Sequence, residues 1–219
     1  MGIPENYTKI RNEIPDNVTI VIAAKTRTVE EIKEVIDAGA TDVGENYVQE
    51  AEKIYKGLLP EKAKQVRWHM IGPLQKNKIN KALGIFDVIQ TVDSLEMAQA
   101  INKRASKIIP VYIEVNIAGE KTKSGIAQER ALELIESMSG LENIKVEGLM
   151  TMEPYSENPE DARPYFKKMK EIFEKIKELK IPNLDMKILS MGMSNSYKVA
   201  IEEGSNMVRI GTAIFRDTS

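Results

Sequence analysis

The stretch Pro110-Val-Tyr-Ile-Glu-Val-Asn-Ile117 alternates apolar and polar side chains along one predicted strand. One face carries only branched aliphatic residues, at positions 111, 113, 115 and 117. The other face carries Tyr112, Glu114 and Asn116. In a barrel of alternating strands and helices, the apolar face of each strand meets the helices, and the lumen can hold polar groups near one end. The stretch therefore favours a strand of such a barrel.

Eight segments of this kind follow one another, each a β-branched run that leads through a turn into a helical period. They are Thr19–Ala24, Asp42–Gly44, Val66–Ile71, Phe86–Thr91, Ile109–Ile117, Lys145–Met150, Met186–Met191 and Met207–Ile210. Their starts are about 27 residues apart, roughly the length of one βα unit of an eight-stranded barrel. We predict an α/β fold, a single-domain (β/α)₈ barrel over residues 1–219. A doubly wound open sheet ranks second, because regular spacing fits closure better and no G-x-G-x-x-G motif opens the first helix.

The segments between the strands have the pattern of helices. Thr28 and Glu31 form a capping-box pair at the start of one helix, which ends near residues 38–39. Ser94 is the predicted N-cap of a second helix, which extends to Ala105. The longest helix, Pro159 to Leu179, has an apolar stripe opposite a face of lysines and glutamates, which is typical of a helix packed against a barrel.

Composition excludes several classes of function. The chain has 219 residues, a formal net charge of −2 and no cysteine, so disulfides, thiolate catalysis and cysteine-bound metals are excluded. We expect no nucleic-acid partner, because the charge is balanced. We expect no metal site, since His69 is the only histidine. With no apolar segment of signal-peptide or membrane length, we expect a cytoplasmic protein with no membrane partner.

Lys25 ends the first predicted strand and shares its face with Thr19, Val21 and Ala23. If the alternate residues face the helices, Lys25 emerges at the mouth of the barrel. There its ammonium group would be partly desolvated and would lose its proton more readily, which suits a nucleophile that forms a Schiff base. The alternative is an ordinary solvated lysine at the end of a strand.

Two loops near the end of the sequence have the pattern of a phosphate site. Ser194 follows a predicted strand and can cap the helix after it, whose free N–H groups attract anions. Arg209 falls on the lumen face of the last strand, where a buried guanidinium needs an acceptor. Gly211 lets main-chain amides approach a ligand, and Thr212 adds a hydroxyl group. The last two loops of a barrel are the usual phosphate site. The alternative is that the glycines serve only turns and that Arg209 forms a structural ion pair.

An amine on the first strand and a phosphate cradle on the last two fit one cofactor, pyridoxal 5'-phosphate. Its aldehyde would join Lys25, and its phosphate would lie against main-chain amides.

Several motifs, in order along nearly the whole chain, resemble those of the pyridoxal phosphate homeostasis proteins, also called proline synthase co-transcribed proteins. The matching segments are Ala24-Lys-Thr26, Gly44-Glu-Asn-Tyr-Val-Gln-Glu50, Trp68-His-Met-Ile-Gly-Pro-Leu-Gln-Lys-Asn-Lys78, Val115-Asn-Ile-Ala-Gly119, Lys123-Ser-Gly125, Gly148-Leu-Met-Thr-Met152, Leu189-Ser-Met-Gly-Met-Ser194 and Val208-Arg-Ile-Gly-Thr-Ala-Ile-Phe215. The segments around Trp68 and Ser194 are the most specific.

The resemblance implies a barrel like the N-terminal domain of alanine racemases, with the cofactor held as a Schiff base on Lys25. It also implies intracellular homeostasis of the cofactor without an established catalytic turnover, and apo-enzymes that use the cofactor as candidate recipients. By comparison with alanine racemases, Arg209 would face the pyridine nitrogen, and Gly211 and Ser194 the phosphate. Arg209 bound only to the phosphate stays an alternative. A monomer is the default expectation.

Asn46 and His69 are further candidates. Asn46, in the segment Gly44-Glu-Asn-Tyr47, would line the cofactor ring, and a turn or helix-capping asparagine is the equal alternative. His69 lies on the lumen face of its strand, either under the ring or, as the better interpretation, as a hydrogen-bonded core residue.

Three functions follow from these patterns. The preferred one is a cofactor-binding homeostasis protein with no catalytic residues. An amino-acid racemase or decarboxylase is the second, but racemization needs a base from a second domain, and the sequence ends at Ser219. An arginine at the ring nitrogen would also weaken the ring as an electron sink. The third, a cofactor-free aldolase that uses Lys25, leaves the segments around Ser194 and Arg209 unexplained.

Overall fold

Nine parallel strands lie within residues 2–120 and 122–216, the part of the chain that the computed structural model describes. They are β1 (Thr19–Ala23), β2 (Asp42–Glu45), β3 (Arg67–Met70), β4 (Val88–Val92), β5 (Ile109–Asn116), β6 (Ile126–Ala127), β7 (Ile144–Met150), β8 (Leu184–Ser190) and β9 (Met207–Ile210). All but the two-residue β6 correspond to the eight predicted strands, with ends that differ by a few residues at most.

The sheet closes on itself, which confirms the predicted barrel and excludes the open sheet. Its order is β4-β3-β2-β1-β9-β8-β7-β5, and β4 also pairs with β5. The closing register joins Ile89 to Val111 and Val92 to Ile113. The short strand β6 is not one of the eight barrel strands and pairs only with the last two residues of β5.

Ten helices surround the barrel within the described residues. They are α1 (Ile3–Glu13), α2 (Val29–Asp37), α3 (Val48–Gly57), α4 (Pro60–Ala63), α5 (Ile79–Leu83), α6 (Leu95–Arg104), α7 (Ala131–Ser137), α8 (Arg163–Lys177), α9 (Tyr197–Glu202) and α10 (Thr212–Phe215). The capping box of Thr28 and Glu31 at the start of α2 is present, and the Ser94 hydroxyl caps α6. The segment predicted to start a helix at Pro159 begins with a 3₁₀ turn before α8. None of the helices in these ranges is both long and apolar enough to span a membrane.

Two apolar layers separate the inside of the barrel from the outside. The inner cluster contains Val21 of β1, Tyr112 of β5 and Met207 of β9, and it packs within the lumen. The alternate residues Ile22 and Ile113 belong to the outer cluster, together with the apolar faces of the helices. The alternation read from the sequence of β1 and β5 is therefore confirmed.

The first and last barrel strands are neighbours. Val21 is in register with Arg209, and Ile22 with Ile210. Because every strand is parallel, the segments that follow β1, β2, β8 and β9 all emerge at the same end of the barrel. This end collects the residues that the sequence singles out. A link between the two termini supports the arrangement, since the Asn6 amide in α1 donates to the carbonyl oxygen of Ile214 in α10 at 3.0 Å.

Candidate functional site

Lys25 lies in a turn, two residues beyond the last residue of β1, Ala23. The next residue, Thr26, has a φ of 63°, a conformation that residues other than glycine seldom adopt and that is often found beside functional side chains. The N–H of Thr26 donates to the carboxylate of Glu50 at 3.4 Å. The Lys25 side chain is exposed, so the expected desolvation of its amine is wrong. The turn carries Lys25 past the end of the strand, which leaves its amine accessible to a ligand.

Arg209 is buried on the lumen side of β9 and is 4% exposed. Its Nη1 donates to Ser190 Oγ at 2.7 Å, and its Nη2 donates to the carbonyl oxygen of Thr151 at 2.7 Å. Burial lowers the pKa of Arg209, and the charges of Glu153 and Glu114 oppose that effect. The expected acceptors for a buried guanidinium are therefore present, on β8 and at the end of β7.

Ser194 does not cap the helix that follows its own strand, so that expectation is wrong. Helix α9 begins at Tyr197, with Ser196 at its N-cap, and Ser194 comes too early in the chain to reach it. Its Oγ instead accepts from the N–H groups of Gly211 and Ala213, each at 3.3 Å. Ser194 thus joins the loop after β8 to the start of α10, which places the two predicted phosphate-binding loops against each other. Thr212, the first residue of α10, is exposed at the same place.

Gly211 allows β9 to end close against β1. A Cβ atom at this position would lie 2.9 Å from the carbonyl oxygen of Ala23 and 3.2 Å from the Ala23 Cβ. A larger residue would therefore push on the strand that leads to Lys25. Gly192, in the loop after β8, has a φ of +95°, and a Cβ there would lie 2.5 Å from the Cβ of Ala200. Both glycines are therefore required by the local packing.

Two buried carboxyl groups belong to strands that lead to this end, and sequence reasoning did not assign either to the site. Burial, and secondarily the charge of Glu50, raises the pKa of Glu45 to about 8. Burial, and secondarily Asp93, raises the pKa of Glu114 to about 7. The signals that could have found them are the lumen parity of Glu114 and the position of Glu45 at the last residue of β2.

Two buried carboxyl oxygens near this end of the barrel have no hydrogen-bond partner among the described residues. They are Glu45 Oε1 and Glu153 Oε2. The other oxygen of Glu153 accepts from the Ser196 hydroxyl, and Glu45 Oε2 accepts from the N–H of residue 46. Buried polar atoms are nearly always paired, so these atoms are the ones that a bound polar ligand would satisfy.

Asn46 follows directly after β2 and is half-buried. It does not cap α3, whose N-cap is Tyr47 and whose first turn has no side-chain cap within the described residues. Its main chain packs closely on the next loop, since a Cβ at Gly72 would lie 2.3 Å from the Asn46 carbonyl oxygen. The capping half of the alternative is therefore wrong, whereas the turn asparagine and the ring-lining assignment both stay open predictions.

His69 is a hydrogen-bonded core residue, as the better of its two interpretations predicts. The ring is fully buried, with Nε2 2.8 Å from Asp42 Oδ1 and Nδ1 2.9 Å from Gln90 Nε2. Burial lowers its pKa, which favours the neutral ring. His69 lies below the mouth of the barrel, two side chains away from Arg209.

The predicted residues meet at one end of the barrel. Ser194 contacts Gly211, Gly211 adjoins the strand that leads to Lys25, and Asn46 emerges from the neighbouring strand β2. The arrangement offers an accessible amine, a buried guanidinium and main-chain N–H groups beside a hydroxyl. Such a set can bind an aldehyde that also carries an anionic group.

Comparisons with known proteins indicate the family of this chain. The family model described as alanine racemase, N-terminal domain, matches residues 2–219. Proteins named pyridoxal phosphate homeostasis protein match at 45% identity in Aquifex aeolicus, over 88% of this chain and 84% of the relative. The one from Vibrio alginolyticus is 40% identical over 92% of this chain and 87% of the relative. The chain belongs to the pyridoxal phosphate homeostasis protein family.

Solved structures show the same fold. PipY of Synechococcus elongatus PCC7942, determined with PLP bound, is 27% identical and has a TM-score of 0.88, with 98% of this chain and 100% of that chain covered. An alanine racemase of Clostridium difficile has a TM-score of 0.80 at 18% identity. This chain covers only 57% of that enzyme, so the likeness to the racemase concerns the barrel.

Two further lumen residues, Gln90 and Ser190, are linked to Arg209 by hydrogen bonds and are not among the candidates that the sequence singles out. Both are fully buried, and Ser190 donates to Gln90 across the barrel at 2.8 Å. Alternation along β4 predicts that Gln90 faces the lumen. The sequence does not predict its hydrogen bond with Ser190, because the two residues are 100 positions apart.

Proposed function

We propose that this protein binds pyridoxal 5'-phosphate at the carboxyl end of its barrel, holds it on Lys25 and takes part in cytoplasmic homeostasis of the cofactor. The observation that carries the proposal is the meeting of three groups there: the accessible Lys25 amine, the buried Arg209 guanidinium and the contact between Ser194 and Gly211. Relatives named pyridoxal phosphate homeostasis protein, and the PipY structure with PLP bound, support it.

Each residue has a distinct task in this proposal. The cofactor supplies an aldehyde, an electron-withdrawing ring and a phosphate. Lys25 would hold the cofactor through its amine, as a Schiff base formed with loss of water. Ser194, Gly211 and Thr212 bind the phosphate through hydroxyl and main-chain N–H groups. Asn46 lines the ring on the side of β2.

The residues present fit such a group. The closeness of Gly211 to Ala23 leaves no room for a side chain where β9 turns toward the phosphate site. The unpaired buried oxygen of Glu153, whose charge acts on Arg209, is a polar partner for a ligand in the mouth. An apolar ligand would leave this atom unsatisfied, at a cost of roughly 1–3 kcal/mol.

Arg209 has a separate role in this proposal, which concerns the ring of the cofactor. Both of its terminal nitrogens already donate to protein acceptors, so the guanidinium is fixed in place as a cation. We propose that it faces the pyridine nitrogen. A cation there disfavours protonation of the ring and weakens it as an electron sink. We propose binding and release of the cofactor as the main role, with apo-enzymes that require the cofactor as the recipients. We propose that the protein acts as a monomer.

Borohydride reduction followed by peptide mass spectrometry tests the proposal. Reduction converts the Schiff base into a stable amine, so the wild-type protein loaded with pyridoxal phosphate is expected to carry the adduct on Lys25. Lys25→Ala is expected to lose the adduct and to stay folded, because the side chain is exposed in a turn. Lys33→Ala, which removes an exposed lysine from α2, is the matched control and is expected to keep the adduct. An adduct on a different lysine of the wild-type protein contradicts the assignment. Absence of any adduct favours the cofactor-free aldolase.

A further inference from the structure

A chain of hydrogen bonds crosses the lumen from Arg209 to the far side of the barrel. Arg209 Nη1 lies 2.7 Å from Ser190 Oγ, and Ser190 Oγ lies 2.8 Å from Gln90 Oε1. Gln90 Nε2 lies 2.9 Å from His69 Nδ1, and His69 Nε2 lies 2.8 Å from Asp42 Oδ1. The five side chains come from five different strands: β9, β8, β4, β3 and β2.

All members of this chain are shielded from water. Ser190, Gln90 and His69 have no exposed surface, Arg209 is 4% exposed and Asp42 is 8% exposed. A packed apolar lumen would stabilise a barrel as well or better, because burying polar groups is unfavourable unless every one is paired. Four consecutive polar contacts therefore call for an explanation beyond stability.

The donor and acceptor capacities of the groups fix the direction of every proton. A guanidinium can only donate, so Ser190 Oγ accepts from Arg209 and must direct its own proton to Gln90 Oε1. The Gln90 amide nitrogen then donates to His69 Nδ1, which must be unprotonated. His69 consequently carries its proton on Nε2 and donates it to Asp42.

The charges agree with this assignment. Burial lowers the pKa of His69, so the ring is neutral and has one nitrogen free to accept. Burial alone would raise the pKa of Asp42, but the hydrogen bonds from His69 and Thr41 bring it below its usual value. The chain thus runs from a cation at the mouth to a carboxylate at the other side, with every group between them neutral.

We propose that Gln90 and His69 are positioning residues for Arg209, because their chain of donated protons keeps the Ser190 oxygen free to accept from the guanidinium. The inference rests on the proposed function in one respect, namely that Arg209 faces the bound cofactor. Loss of Gln90 would leave the Ser190 hydroxyl without its acceptor and free to turn its proton toward Arg209. The guanidinium would then keep only its contact with Thr151 and lose its fixed orientation.

The first test uses the wild-type protein without cofactor. His69 is the only histidine in the chain, so ¹⁵N-histidine labelling gives the signals of a single imidazole with no assignment problem. At neutral pH we expect a neutral ring with a protonated Nε2 and an unprotonated Nδ1. A protonated Nδ1, in either the other tautomer or the imidazolium, overturns the proposal.

The second test compares two neighbouring residues of β4. Gln90→Leu removes the middle of the chain. Thr91→Val removes a different buried hydrogen bond, from Thr91 Oγ1 to the Gly72 carbonyl oxygen at 2.8 Å, and is the matched control.

In the cofactor-free proteins, the guanidinium N–H signals of Arg209, assigned through Arg209→Lys, are expected to be resolved in the wild type and in Thr91→Val and to broaden in Gln90→Leu. Affinity for pyridoxal phosphate is expected to fall about tenfold in Gln90→Leu and to change less than twofold in the control. Unchanged guanidinium signals or unchanged affinity in Gln90→Leu refutes the positioning role.

Gln90→Glu keeps the test decisive if Gln90→Leu does not fold. A glutamate still accepts from Ser190, so Arg209 is expected to keep its resolved signals and the affinity to stay within threefold of the wild type. If ionised, the glutamate accepts a hydrogen bond from His69 Nδ1 and His69 is an imidazolium; if protonated, it donates to His69 Nδ1 and His69 stays neutral. Broadened Arg209 signals in this variant contradict the positioning role of the chain. A wild-type protein that binds no pyridoxal phosphate refutes the proposed function instead, and the cofactor-free spectra still report separately on the chain.

Discussion

Replacing Ser194 by alanine separates the contribution of the hydroxyl to the fold from its contribution to binding. In the structure, Ser194 Oγ accepts from the N–H groups of Gly211 and Ala213, each at the long distance of 3.3 Å. Two weak hydrogen bonds at a half-exposed position are together worth about 1 kcal/mol of unfolding free energy. For a chain of this size, that loss lowers Tm by roughly 2–4 °C.

The expected loss of affinity is larger than the loss of stability. A hydroxyl that binds a phosphate oxygen makes a charge-assisted hydrogen bond worth about 1.5–3 kcal/mol, so Ser194→Ala is expected to weaken pyridoxal phosphate binding roughly 10- to 100-fold. Titration followed by absorbance gives the affinity, and thermal unfolding without cofactor gives Tm. Ser137→Ala, which removes a hydrogen bond from a hydroxyl on α7 to the Leu134 carbonyl oxygen, is the control and is expected to leave the affinity unchanged.

A comparison of ligands completes this test. Pyridoxal, which lacks the phosphate, is expected to bind the wild type much more weakly than pyridoxal phosphate and to bind Ser194→Ala about as well as it binds the wild type. Equal affinity of the wild type for pyridoxal and for its phosphate ester would refute the assignment of the cradle.

Three further predictions follow from the same end of the barrel. With L- or D-alanine, the wild-type protein is expected to show no exchange of the α-hydrogen near the ordinary enzymatic range of about 1–10³ s⁻¹. Arg209→Glu is expected to bind pyridoxal phosphate more weakly, while any exchange of the α-hydrogen becomes faster. Deuterium incorporation measures the exchange, and rapid exchange by the wild type would establish an enzyme. Because the pKa of Glu45 is raised to about 8 in the folded protein, its stabilising effect is complete below the unfolded pKa and is lost as pH rises through 8. Urea unfolding of the cofactor-free protein is therefore expected to show a decline in stability from pH 5 to pH 8.5 that is smaller in Glu45→Gln; equal declines would contradict the raised pKa. Gly211→Ala places a Cβ 2.9 Å from the Ala23 carbonyl oxygen, so it is expected to weaken cofactor binding at least tenfold and to lower Tm, and wild-type affinity in a titration would show that the two strands can move apart freely.

The barrel could be predicted from the sequence because its signal is local and repeated. Alternation within β5 identified the lumen face, since the chemistry of each face is visible over eight residues. The two-residue β6 was missed because it is too short to show a period, and it forms only by pairing with the end of β5. The helix predicted from Pro159 to Leu179 is confirmed by α8, but its first turn is a 3₁₀ helix that the Asn158 side chain caps.

The site could be predicted only where a residue and its surroundings lie close together in the sequence. The lumen position of Arg209 follows from strand parity, and the Gly211 loop follows from its position after the last strand, whereas Lys25 lies in a turn beyond β1 and its role stays a prediction. The partner of Ser194 could not be predicted, because the hydroxyl reaches a loop 17 residues later and not its own helix. The hydrogen bond between Gln90 and Ser190 could not be predicted for the same reason, because the two residues are 100 positions apart and only barrel closure brings them together.

The pairing of β1 with β9 makes the timing of synthesis matter for this protein. Lys25 leaves the ribosome early, whereas Arg209 belongs to the last barrel strand to emerge and Gly211 follows that strand directly. Until that strand is added, β1 has an unpaired edge, and unpaired edges attract other strands. The amine is therefore present long before the groups that would hold a phosphate beside it. The pairing of β9 with β1 both closes the barrel and completes the site. A nascent chain therefore cannot bind the cofactor with the complete site until β9 covers the edge of β1.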